Sequence, residues 1–154
     1  MNQDMDLKMN LQLFADNGDN GDSSADFLKN NKVTTALYRR LLAHAVGETG
    51  TISKITKMAF GDQGETDEQN NPAPPTETGD LNHVVLTKTL DSITFPSDNA
   101  VTFQATVNAG EVTSGINEIA LLDEAGETAA KIRLLTSKGV DAETSLVFKW
   151  TLEF

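Results

Sequence analysis

The chain has 154 residues, with 12 Lys and Arg against 23 Asp and Glu, a net charge of −11 and no cysteine. That charge repels a phosphate backbone, so nucleic acid is not an expected partner, and without cysteine neither disulfides nor thiolate metal sites can hold the fold, which must rest on packing. No apolar run approaches the ~20 residues that span a bilayer, and acids stand at the N-terminus where a secretory signal carries bases, so no membrane partner is expected either.

At the start of the chain Leu7, Met9, Leu11, Leu13 and Phe14 alternate weakly, with no neighbouring segment to pack against, and a lone segment of this length is not expected to persist. Asp16 to Asp26 holds four Asp, several Gly and Ser, and no Lys or Arg. Such a composition buries too little apolar surface to offset chain ordering and reads as a flexible acidic linker. The expected division is a leader over 1–15, the linker over 16–31 and one folded domain over 32–154. Nothing before about Asn30 is expected to hold a persistent fold.

"KVTTALYRRLLAHAVG", Lys32 to Gly47, has Val33, Leu37, Leu41, Leu42 and Ala45 at helical spacing. Asn30 or Asn31 is placed to cap its start and Gly47 to close it. "ISKITKMAF", Ile52 to Phe60, reads as a strand. The following "GDQGETDEQNNPAPPTETGD" has three Pro and six acids without one base, which predicts a long exposed loop that is functional or mobile. Beyond Asp80 the period is two, as in half-buried strands. Val84 to Phe95 predicts a strand stopped by Pro96. In "VTFQATV" the inward set is Val101, Phe103, Ala105 and Val107, and in "LVFKWTLEF" it is Leu146, Phe148, Trp150, Leu152 and Phe154. Between them "GINEIALLDEAGETAAKIRLL" predicts a hairpin turning at Asp123 to Gly126, with Gly126 supplying the positive φ. The sum is a mainly β chain: an antiparallel sandwich of about six strands with one N-terminal helix, of α+β type. Phe103, Ile119, Leu121, Phe148, Trp150 and Leu152 are its expected centre.

The chemistry-bearing residues are few. His44 and His83 have no second His and no Cys near them in sequence, and surface or satisfied polar roles suit both. Asp62, Glu65, Asp67 and Glu68 offer oxygen ligands for Ca²⁺, but without the alternating acids and glycine of a calcium loop they read as solvated charge. Arg39 and Arg40 can grip a partner carboxylate or simply form the wet face of a helix. No nucleophile-elbow, phosphate-loop or dinucleotide motif occurs. No enzyme activity and no cofactor or metal are expected.

Two stretches resemble known families. "NLQLFADN" resembles the N-terminal processing motif of a large-subunit ribosomal protein of Firmicutes and of capsid and scaffold proteins of their tailed phages. Leu11, Gln12, Leu13, Phe14 and Ala15 match it. The resemblance implies a cut after Ala15 by the host's ribosomal-processing cysteine protease, so that the mature chain begins at Asp16. An extended apolar tag for pocket docking and a yielding flank fit that use. The residues before Met9 are more than this leader usually has, and the translation start stays open among Met1, Met5 and Met9.

From about Val33 to Phe154 the chain resembles the N-terminal domain of phage tail-collar fibre proteins. The matching pieces are "TTALYRRLLAHAVGETGTISKITKMAFGDQG", "PAPPTETGDLNHVVLTKTL", "INEIALLDEAGETAAKI" and "SKGVDAETSLVFKWTLEF". Ala120 stands where that pattern usually has Gly. The resemblance implies a virion structural protein that forms a homo-oligomer, as a trimer. The tag points to the head, as a decoration or head-fibre protein docked on the capsid, whereas the domain points to a tail-fibre, baseplate or collar adaptor. A binding module outside phages is a further alternative.

Overall fold

The computed structural model describes residues 31–47, 50–68 and 71–154, and the course of the main chain over 2–10. These residues form nine strands and one helix: β1 (Asn2–Asn10), β2 (Lys32–Thr34), α1 (Ala36–Gly47), β3 (Ile55–Gly61), β4 (Val84–Thr89), β5 (Ser92–Ser97), β6 (Ala100–Val107), β7 (Ile116–Asp123), β8 (Thr128–Lys138) and β9 (Ser145–Glu153). One sheet runs β1-β9-β6-β5 and the other β2-β8-β7-β3-β4. Every pairing is antiparallel except β1 with β9. The expected mainly β architecture with one helix is the architecture found, with more strands than the six anticipated.

The core lies between the sheets. β6 contributes Phe103, Ala105 and Val107, and β9 contributes Leu146, Phe148, Trp150 and Leu152. Met58 and Phe60 of β3, Ile119 and Leu121 of β7, and Ile132 and Leu134 of β8 meet them from the other sheet. The Phe60 and Phe148 rings sit 4.9 Å apart at 49°, a tilted pair joining one sheet to the other. All six residues expected at the centre are buried. Phe154 is not part of that row: it lies past the end of β9, 56% exposed, its N–H donating to the Asn99 carbonyl.

Five local expectations are corrected. The helix starts later than its periodicity indicates, because Lys32–Thr34 pair with β8 as a short strand. Its cap is Thr35, whose Oγ1 accepts from the Tyr38 N–H at 3.3 Å, while Asn31 is buried and bonded to the main chain of Arg133. Val84 to Phe95 is two strands in different sheets. The crossing is at Leu90 and Asp91, whose N–H groups donate to the carbonyls of Thr56 of β3 and Gln104 of β6 respectively. Pro96 does not stop β5 but lies inside it, tolerated because β5 is an edge strand whose pairing with β6 is irregular between Thr94 and Ser97. Lastly, the segment expected to hold no persistent fold includes β1, which runs parallel to β9 for nine residues, from Asn2 opposite Ser145 to Asn10 opposite Glu153. Its partner lies far along the chain and supplies the ladder that no local neighbour could.

Candidate functional site

The outer face of the five-stranded sheet is built to be covered. Cross-strand register sets Arg133 of β8 beside Glu118 of β7 and Glu118 beside Gly61 of β3; the next row is Lys131, Ala120 and Ala59. Ala59 and Ala120 are small and fully covered, with Leu81 packed on them and Leu122 alongside. A Cβ on Gly61 would meet Glu118 and the His83 carbonyl oxygen at 2.7 Å, so this strand end approaches its neighbours as only glycine allows. Residues 62–68 and 71–82 close over this face.

Two cations of β8 pin the segment. Arg133 Nη1 donates to the carbonyl oxygens of Glu65 at 2.9 Å and Ala73 at 2.8 Å, while Nη2 lies 3.6 Å from the Glu118 carboxylate. Lys131 Nζ donates to Thr78 O at 2.9 Å and Thr76 Oγ1 at 3.2 Å. Burial, and then the neighbouring Arg133 charge, lower the Lys131 pKa. The remaining anchors are neutral or surface contacts: Thr128 Oγ1 to Asp80, the Gly64 N–H to Asn117 Oδ1, and the Ala36 N–H to the Glu77 carbonyl. Arg39 links helix and segment, donating to Glu77 Oε2 at 2.6 Å and to Thr34 O at 2.7 Å. A polar cavity of about 30 Å³ stays beneath, between Glu65, Asp80, Glu118, Lys131 and Arg133. That is room for about two waters and far from the several hundred Å³ of a ligand cleft. Arg133 Nε borders it without a hydrogen-bond acceptor from the protein.

The residues singled out in the sequence fall around this cover. Asp62 Oδ1 accepts from His83 Nδ1–H at 2.6 Å, and that contact holds its carboxyl below the usual range. Glu65 is used through its carbonyl. Asp67 Oδ1 accepts from the Asn71 N–H at 2.8 Å, closing the turn whose outer residues Thr66 and Pro72 bridge. Among the described residues no group of three or more His, Asp or Glu is gathered as a metal site. Arg40 and His44 are on exposed positions of α1. Leu11, Gln12, Leu13, Phe14 and Ala15 lie outside the described residues, directly after β1.

The sequence reading missed the role of β8. Lys131 and Arg133 alternate with Ala130, Ile132 and Leu134, which marks them as outward, but nothing local says that an acidic segment 53 to 68 residues away will lie on them. The other surface feature is the β5 edge, where Ile93 and Phe95 are 45% and 76% exposed on the last strand of the four-stranded sheet. Compared with family models, with curated proteins and with solved structures, the chain matches none.

Proposed function

We propose that the chain is a structural component of a bacteriophage virion: a head-associated decoration or head-fibre protein that docks as an oligomer, a trimer, on the capsid. The observation that carries the reading is the string Leu11 to Ala15 joined to a linker of Asp, Gly, Asn and Ser, since a tag of this kind marks head proteins matured by a host cysteine protease. The two-sheet fold with one helix supports it as the class of architecture that the second resemblance implies. A rigid sandwich also suits docking, because pre-ordered surface loses little further chain entropy on binding. Threefold repetition lets a weak contact act at high effective concentration. The resemblance of Val33 to Phe154 to a collar-fibre domain favours a second reading, a tail-fibre or baseplate adaptor.

Purified virions separated into heads and tails, each analysed by mass spectrometry and N-terminal sequencing, test the proposal. The expected result is the chain in the head fraction, beginning at Asp16. Recovery with tails selects the second reading, and an intact Met1 or Met9 terminus removes the processing step. Absence from virions overturns both.

A further inference from the structure

β1 is joined to its sheet in an unusual way. It is the last strand of that sheet, it touches the ladder on one side only, and because it runs parallel to β9 no tight turn connects the two. Between Asn10 and Asn31 stand twenty residues, 11–30, with a contour of at most about 70 Å. That reach exceeds the ~10 Å between packed sheets several times over. The register places Met5, Leu7 and Met9 at the positions opposite Phe148, Trp150 and Leu152, and Asp6 opposite Lys149. Nothing in this pairing requires that both strands belong to one chain.

We propose that the β9 edge is the docking site for a second copy of this chain, which hands over its own β1, so that the oligomer forms by strand exchange. The exchanged and unexchanged states make the same ladder with the same register, and they differ only in which tether holds the strand. Exchange of an identical element is for that reason a route to oligomers that needs no new surface. The net charge of −11 opposes close approach of copies, and a main-chain ladder supplies attraction that needs no charged surface. A tether of this length keeps its own strand at an effective concentration on the order of millimolar. Exchange therefore prevails where uncut copies are crowded to that level. The inference goes beyond the proposed function and does not rest on it. It concerns the uncut chain, since a cut after Ala15 leaves β1 held by the ladder alone.

The absence of cysteine makes the test clean. Full-length Asp6→Cys and Lys149→Cys chains, confirmed uncut by intact mass, are unfolded, refolded together at about 1 mM and oxidised; Cα atoms of paired strands are within disulfide reach. The expected product is a covalent heterodimer at least tenfold more abundant than when Glu68→Cys replaces Asp6→Cys. The Asp6→Cys/Lys149→Cys double variant is expected to give covalent dimers and trimers at 1 mM and closed monomers at 1 µM. A double variant that closes only on itself at both concentrations, with no heterodimer above the control, overturns the proposal. Failure of any disulfide at this pair overturns it as well, by removing the pairing on which it stands. Because the experiment uses pure protein, loss of the virion reading leaves its outcome unchanged.

Discussion

Arg133 serves three partners from a side chain that is 6% exposed, two carbonyls of the covering segment and the carboxylate of Glu118, itself 2% exposed. Arg133→Met removes the cation, leaves the buried Glu118 carboxylate without its countercharge and takes a donor from two carbonyls, of which Glu65's keeps the Ala73 N–H, so it should destabilise the fold by about 3–5 kcal/mol in denaturant melts. Glu118→Gln should do less, because the two carbonyl contacts survive. The surface carboxyls behave differently. Asp62 is held low by His83, Glu111 by the Lys88 ammonium and Asp141 by the N–H groups that follow it, at Glu143 and Thr144. A folded-state pKa below the unfolded value gives stability that is present above the unfolded pKa, 3.8 for Asp and 4.5 for Glu, and is lost as pH falls through the lower folded value. Melting temperature should therefore fall as pH drops below about 4.5, and Asp62→Asn should flatten part of that fall. The individual acids were visible in the sequence as charge, but their partners were not, since Lys88 and Glu111 stand 23 residues apart and Asp62 and His83 21 apart.

Among the elements, β6 and β9 were legible because each alternates cleanly, and alternation is the direct signature of a strand with one wet face. Their eight-residue antiparallel register, Ala100 opposite Glu153 to Val107 opposite Leu146, places Trp150 beside Phe103 at the middle of the core. Trp150→Ala should cost about 3–5 kcal/mol, read from chemical denaturation, since it loses transfer energy and leaves a cavity between two sheets. The β7–β8 turn was legible for a different reason. Gly126 adopts φ 88°, and Asp123 accepts at Oδ1 from the Glu127 N–H, so the turn is written in two residues. β1, β2 and the helix start were not legible. Three residues such as Lys32–Thr34 carry no period of their own, and β1 has only a weak alternation whose meaning depends on a strand more than a hundred residues later. The true helix cap was obscured because several residues in "NNKVTT" are good capping types and only the tertiary bond of Thr35 Oγ1 to Thr128 O, at 2.6 Å, selects one.

At the scale of the molecule, composition carried the broad class. Without cysteine and with period-two segments through its second half, the chain had to stabilise itself by packing sheets, and it does. What composition could not carry was the covering of the second sheet: the acids Glu65, Asp67, Glu68, Glu77 and Asp80 are solvated, as expected, but the loop's carbonyls are held by the β8 cations beneath it. The order of the four-stranded sheet adds a matter of timing. β9 stands between β1 and β6, so neither can join this sheet through it until β9 has been made. At translation rates of about 5–20 residues per second, the first strand waits on the order of 10 s for its partner. Until then the nascent chain carries an open, partly apolar segment, exposed to whatever emerges beside it on the same messenger. Of the described strands, the earliest made is thus among the last to find its place.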